Sequence, residues 1–318
     1  MRRAFATPGW LLAAIVVVGP ASAQSPSAPP LATSSTDRYV RLWDAAGQQT
    51  RSILAHDGVV TCVIYTPDGT RIISGGDDKT IRIHTVDDGA LENTIDAHDK
   101  AVLCLAISPD GRTLASGGAD NKVKLWNAMT GSLLKTITAH SQPVRALAWR
   151  PDGKGFASGG ADRLIQVWRS DGSLAGTIVG HDEAITALAY SKDGQYLFSA
   201  AADGYIKVWN AQDFGLVSRQ KLPERVLLSL ALSPDGKQLA TAGQDGRIRL
   251  WTVTNAVLSA EQSAQTDRGI AALAWSRDGQ MLITGGSDKT LRYWSSRDLT
   301  SLLQGTQPAA ITAISVAP

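Results

Sequence analysis

A histidine, a serine and an aspartate fall within one short stretch of the chain, at His98, Ser116 and Asp120. These are the parts of a nucleophilic relay, in which an imidazole takes a hydroxyl proton and a carboxylate holds the imidazole. The same trio recurs as His140, Ser158 and Asp162, and again as His181, Ser199 and Asp203. An enzyme needs one such relay, so copies in phase argue for a repeated structural part. Each copy also ends on a tryptophan six residues after its aspartate: Trp126, Trp168 and Trp209. A buried hydroxyl, imidazole and carboxylate are each costly alone and tolerable when each satisfies the next.

The elements around these side chains read as β-strands. Between His98 and Trp126 the chain gives an apolar run (Val102–Ile107) and an SPDG turn (Ser108–Gly111). A second run (Thr113–Ser116), a GGAD turn (Gly117–Asp120) and an alternating third run from Lys122 to Trp126 follow. Runs of this length bounded by Gly, Pro and Asp are strand and hairpin signals. The turn aspartate recurs as Asp37, Asp78, Asp120, Asp162, Asp203, Asp245 and Asp288, at steps of 41 to 43 residues. That period, with four short strands per unit, is the signature of a propeller blade. Six residues on stand Trp43, His84, Trp126, Trp168, Trp209, Trp251 and Trp294; four residues before stand Thr33, Ser74, Ser116, Ser158, Ser199, Thr241 and Thr284.

The GH…SPDG…ASGGxD…VKLW pattern resembles the WD40-repeat family over roughly 31–318. The resemblance implies an all-β, seven-bladed WD40-type β-propeller. It also implies that Trp, Ser, His and Asp form a buried hydrogen-bond chain in each of blades 2 to 4, through the twelve tetrad residues named above. Blade 7 is expected to close from both ends of the chain. Ile311–Val316 matches an innermost strand, and Leu31–Asp44 with Thr50–Leu54 supplies the other three. Such closure removes the open edges of a sheet. Blade 5 is expected to run from Leu227 to Leu258. Three departures stand out. His84 replaces a tryptophan in blade 1 and retains a ring N–H to donate. Pro223 and Thr266 replace the histidine in blades 5 and 6, and Gln307 falls there in blade 7. Blades 5 to 7 and the closing seam are therefore expected to open more easily.

The chain carries 31 Lys+Arg against 29 Asp+Glu, which gives no basic surplus for nucleic acid or an anionic membrane surface. Residues 1–23 read as a signal peptide: Arg2 and Arg3, an apolar core from Trp10 to Val18, and Ala21-Ser22-Ala23 as a cleavage site. Residues 24–30 (QSPSAPP) form a linker, and the propeller occupies 31–318. The expectation is an exported bacterial member of the family, periplasmic or secreted after cleavage near Ala23. It would carry no membrane span and act as a monomer. Arg2-Arg3-Ala4-Phe5 also resembles a twin-arginine export signal, against the plainer secretory reading. Cys62 and Cys104 take the same place in neighbouring blades, where others carry Ala146, Ala187 and Ala272. They read as small buried side chains, with a disulfide kept open by the exported setting.

No zinc-type spacing, nucleophile elbow or P-loop occurs, so no catalytic residue, metal or cofactor is expected. The carboxylates Asp68, Asp110, Asp152, Asp193, Asp235 and Asp278 each precede a glycine and read as turn residues. What remains is surface. The candidate partner-binding rim consists of Arg38, Lys79, Asn121, Arg163 and Lys289, just after the turn aspartates, with Lys100, Arg225 and Arg268 two residues past the histidine position. Lys289, Arg38 and Lys79 come from consecutive blades and suit an acidic or phosphorylated protein segment. The expected function is a non-enzymatic protein-interaction scaffold. Alternatives are a binder of a small molecule or peptide at the channel mouth, an accessory subunit of an envelope or redox complex, and, less favoured, a hydrolase or lyase.

Overall fold

A computed structural model describes residues 30–222 and 226–318. The described residues form twenty-eight strands in seven antiparallel four-stranded sheets. In the first blade the strands are Val60–Tyr65, Arg71–Gly76, Thr80–Thr85 and Leu91–Asp96, from the inner edge outward. The others repeat this order. The inner strands contact one another in a closed ring. Residues 1–29, which include the expected signal peptide and all but the last residue of the linker, lie outside the described residues.

The core sits between blades. One cluster joins Ile73, Ile81 and Ile83 of blade 1 to Val102, Leu105, Leu114 and Trp126 of blade 2, and the other clusters repeat the arrangement around the ring. The apolar residues of each strand therefore face a neighbouring blade as well as their own sheet. Fully burying one such side chain contributes about 1.5–3 kcal/mol.

Blade 7 is built from both ends of the described chain. The strand Ile311–Val316 pairs with Leu31–Ser35, with Leu31 opposite Val316 and Ser34 opposite Ala313. The N–H of Ala317 donates to Pro30 O at 2.9 Å, and that of Thr36 to Ala310 O at 3.1 Å. The C-terminal strand also fastens to blade 1. Thr312 Oγ1 donates to Val60 O at 2.6 Å, and Ser315 Oγ accepts the Tyr65 N–H at 3.0 Å.

Each inner strand has a bulge at its second residue, as at Thr61, Arg145, Thr186 and Thr312. A bulge re-aims the side chain it carries. Thr61 uses this to reach Gly75 O in its own blade and Val102 O in the next. The outer strands interlock differently. Over Gly47 (φ 72°) sits the side chain of Leu303 from blade 6; a methyl group on that glycine would lie 2.2 Å from it. At the matching turn of blade 4 the partners are reversed. Phe214 takes the left-handed conformation (φ 63°) and lays its ring over Gly176 of blade 3.

Blade 5 differs from the boundary read off the sequence. Its third and outer strands run Arg247–Thr254 and Val257–Gln265, joined by Asn255 and Ala256, both at positive φ. Two left-handed residues in a two-residue turn let the hairpin extend with the natural strand twist. The PDG-type turn and GxxD spacing gave no sign of this longer hairpin.

Candidate functional site

In blades 2, 3 and 4 the three strands and the loop before them bring the four tetrad side chains into one chain of bonds. Trp126 Nε1–H donates to Ser116 Oγ at 2.8 Å, and Ser116 Oγ lies 2.8 Å from His98 Nε2. His98 Nδ1 lies 2.9 Å from Asp120 Oδ1. With a neutral imidazole protonated on Nδ1, every donor faces an acceptor: Trp to Ser, Ser to His, His to Asp. Trp168, Ser158, His140 and Asp162 repeat the geometry at 2.9, 2.8 and 2.9 Å. Trp209, Ser199, His181 and Asp203 repeat it at 2.8, 2.8 and 2.9 Å.

The electrostatics suit a staple. Burial pushes the His98 and His140 pKa values down against the opposing pull of Asp120 and Asp162, so both rings stay neutral. Burial raises Asp203, but the hydrogen bonds from His181 and from the Tyr205 and Asp182 amides outweigh it and hold the carboxyl at about 2. The serine oxygens are shut in, with Ser116, Ser158 and Ser199 at 0% exposure. A nucleophile needs access to its substrate, and these have none.

Blade 1 keeps part of the chain. His56 bonds Ser74 and Asp78 at 2.9 Å each. The bond expected from His84 to that serine is not made, because the imidazole is shorter than an indole. His84 is buried, and burial, followed by the charges of His56 and Arg82, lowers its pKa to about 4.

Blades 5, 6 and 7 hold the turn aspartate with an arginine four residues later. Arg41 Nη2 meets Asp37 at 2.5 Å, Arg249 Nη1 meets Asp245 at 3.0 Å, and Arg292 pairs with Asp288. Arg41 and Arg249 are 4% and 1% exposed, so each clamp joins a buried guanidinium to a partly exposed carboxylate. Arg249 also meets Glu261 at 3.1 Å. The tryptophan bonds persist: Trp43 to Thr33, Trp251 to Thr241 and Trp294 to Thr284. In blade 7 Thr33 then donates to Gln307, so an amide takes the histidine's place. Thr266 instead bonds Gly246 O and Arg268 O, and Pro223 lies outside the described residues.

Position four after the aspartate was readable in the sequence. In three of the four blades with a histidine a cation at this position reaches the carbonyl before it, Arg82 to Ala55 O, Lys124 to Ala97 O and Lys207 to Gly180 O, while blade 3 carries Gln166. The position is arginine in all three blades without the histidine and also in blade 1, where Arg82 lies 3.6 Å from Asp78. That partial correlation was the available signal.

The rim residues occupy a special backbone position. Arg38, Lys79, Asn121, Arg163 and Lys289 have φ between 65° and 79°, where Gly204 and Gly246 stand in blades 4 and 5. A left-handed conformation disfavours side chains other than Gly, Asn and Asp. Arg38, Lys79, Arg163 and Lys289 are exposed, and among the described residues no carboxylate pairs with them. Asn121 is half-buried and donates to Ser141 O at 3.1 Å. Lys100 and Arg268 are exposed on the same face, and Arg225 lies outside the described residues. Two carboxylates of this face are already matched, Asp57 by Arg82 and Asp99 by Lys122. Arg145, not singled out in the sequence, adds an exposed cation at the same end of the blade 3 inner strand.

Cys62 and Cys104 are free and buried. Burial pushes the Cys62 thiol to about 12 and Cys104 well above its usual range. Among the described residues no three His, Cys, Asp or Glu side chains converge as a metal site.

Seven four-stranded blades, six of them stapled through Trp and Ser or Thr, define a β-propeller of the WD class. Comparison with known families agrees. The profile described as "WD domain, G-beta repeat" matches 47–85 and 89–127, and that described as "IFT122 first beta-propeller" matches 121–318. The chain belongs to the WD40-repeat β-propeller family.

Among curated proteins it is similar to nuclear distribution protein nudF 2 of Talaromyces marneffei, 37% identical over 67 residues, which is 21% of this chain and 15% of that protein. Nuclear distribution protein PAC1 of Tuber melanosporum is 36% identical over 67 residues, covering 21% and 15%. Nuclear distribution protein nudF of Aspergillus niger is 35% identical over 78 residues, covering 24% and 18%. The chain thus spans less than a fifth of the length of these relatives.

These matches overturn the expected setting. The relatives are fungal nuclear distribution proteins, which points away from an exported bacterial periplasmic protein. A short apolar N-terminus with two arginines reports composition, and composition alone does not fix a destination.

Proposed function

We propose that this propeller is a non-catalytic scaffold that binds an acidic or phosphorylated protein segment on the face bearing the turn aspartates. The observation that carries this reading is the series Lys289, Arg38 and Lys79. All three are exposed, without a carboxylate partner among the described residues, and at left-handed φ on the same turn of consecutive blades. Non-glycine residues in that conformation are held at a cost of about 1–3 kcal/mol, and such strain clusters where a surface is used. Lysine and arginine donors suit carboxylate or phosphate oxygens. A rigid ring keeps the donors fixed and so limits the ordering cost of binding.

The test is charge reversal. The variant Arg38→Glu/Lys79→Glu/Lys289→Glu should lose its captured protein partner while keeping the wild-type melting temperature. Capture at the wild-type level would remove the reading.

A further inference from the structure

The repeat supplies an internal control for every position, and two positions of blade 3 break it together. The residue opening the PDG-type turn is Thr66, Ser108, Ser191, Ser233 or Ser276 in five blades. Each donates its hydroxyl to the turn aspartate, as Ser108 does to Asp110 at 2.6 Å. Blade 3 has Arg150 there, paired with Asp152 at 3.1 Å. The residue after the tryptophan position is Asp44, Thr85, Asn127, Asn210, Thr252 or Ser295 elsewhere. Asp44, Asn127 and Asn210 accept amide N–H bonds from their own turns. Blade 3 has Arg169, which reaches Ser173 Oγ and Leu174 O instead, with its charge felt by the Asp171 carboxylate of the same turn.

Both arginines line one cavity of about 520 Å³ between blades 3 and 4. Lys154 adds a third cation, exposed and unpaired. Trp168 and Phe214 supply apolar wall. Phe214 is the aromatic member of a turn position that carries Gly47, Gly89, Gly131, Gly172, Ala256 or Leu299 in the other blades. Two polar atoms beside the cavity lack partners. Arg150 Nε is buried without a hydrogen bond, and so is the Tyr190 hydroxyl, whose charged neighbours are Arg150 and Asp152. Arginines stand where other blades carry short polar turn residues, although Asp152 and Asp171 still cap the two turns, and two buried donors are left unsatisfied. That pattern fits a site whose acceptors come from outside.

We infer that this cavity, on the face opposite the rim of Lys289, Arg38 and Lys79, binds an acidic peptide segment that carries an aromatic or apolar residue next to its carboxylates. The carboxylates accept from Arg150, Arg169 and Lys154, and the apolar residue lies along Phe214 and Trp168. The site is independent of the opposite face.

The test uses the full chain and a labelled peptide, Gly-Glu-Glu-Phe-Gly, with a control in which glutamine replaces each glutamate. Wild type should bind the acidic peptide, more weakly as salt rises, and bind the control poorly. The variant Arg150→Ser/Arg169→Asn restores the turn residues that other blades carry. It should lose about tenfold or more in affinity, with a melting temperature equal to or above wild type. Lys154→Glu should weaken binding in the same direction. The charge reversal at Arg38, Lys79 and Lys289 should leave this binding unchanged, which separates the two faces. Absent binding by wild type, equal binding of the control, or unchanged affinity in the Arg150→Ser/Arg169→Asn variant would overturn the inference. A melting temperature several degrees lower in that variant would also overturn it, by making the arginines structural.

Discussion

Blades 1 to 4 and blades 5 to 7 fasten the same turn with different chemistry. In the first group a histidine from the preceding loop holds the turn aspartate and a hydroxyl, as His98 holds Asp120 and Ser116. In the second group an arginine on the adjoining strand holds it, as Arg41 holds Asp37. The histidine joins a loop to two strands across 22 residues; the arginine closes a local clamp across four. One is a neutral relay that satisfies three polar groups in series. The other is an ion pair between a largely buried guanidinium and a partly exposed carboxylate, which leaves a buried charge when the carboxylate is removed. In blades 5 to 7 the turn aspartate keeps a charged side-chain partner where the histidine is lost, and in blade 1 it has both His56 and Arg82.

The largest expected effect falls on the seam. Deleting 310–318 removes the inner strand of blade 7 together with the bonds of Thr312 and Ser315 to blade 1. The truncated chain should fail to give a cooperative unfolding transition at 25 °C. Melting like the full protein would show that the ring does not depend on its closure.

Next come the clamps. Asp37→Ala leaves the guanidinium of Arg41 buried with Ser35 Oγ as its remaining side-chain partner, and should cost about 3–5 kcal/mol in denaturant unfolding. Asp120→Ala leaves a neutral imidazole N–H and should cost about 1–3 kcal/mol. Equal losses would erase the distinction between charged and neutral staples.

The smallest effect is the dependence on pH. His56, His98 and His140 are held below their ordinary value of 6.5. The unfolded chain therefore takes up protons first, and stability in these blades falls as pH drops below about 6.5. Arginine does not titrate there. Asp37 is raised by burial, but the hydrogen bonds from Arg41 and Ser35 and the charge of Arg41 outweigh this and hold it below 3.8. Its contribution is present above about 3.8 and lost only as pH falls further. Hydrogen exchange at pH 5 should thus accelerate in blades 1 to 3 relative to blades 5 to 7, with similar protection at pH 7.5. Uniform acceleration would contradict the two chemistries.

Most of the fold was legible because a repeat multiplies its own evidence. One turn aspartate is a weak signal, but seven at steps of 41 to 43 residues fix blade number, strand order and the split of blade 7. The staples of blades 2 to 4 were legible for the same reason. The arginine clamps left only a partial signal, an arginine four residues after the aspartate in blades 1, 5, 6 and 7, and in an alternating strand such a charge reads as solvent-facing. The cavity of Arg150 and Arg169 was hidden differently. Each looks like an ordinary surface charge, and only the third dimension shows that they share a wall with Phe214. The N-terminal stretch misled in the other direction, since Arg2, Arg3 and the apolar run suggested a setting at odds with the relatives.

The repeated His, Ser, Asp and Trp side chains hold the blade, and the proposal is that the residues beside them meet the partner. Parallel partner capture and thermal melting of two variants test it directly. His98→Gln should lower the melting temperature and retain the partner, whereas Arg38→Glu/Lys79→Glu/Lys289→Glu should keep the melting temperature and lose it. Loss of the partner in the folded His98 variant, with capture intact in the charge reversal, would contradict the account.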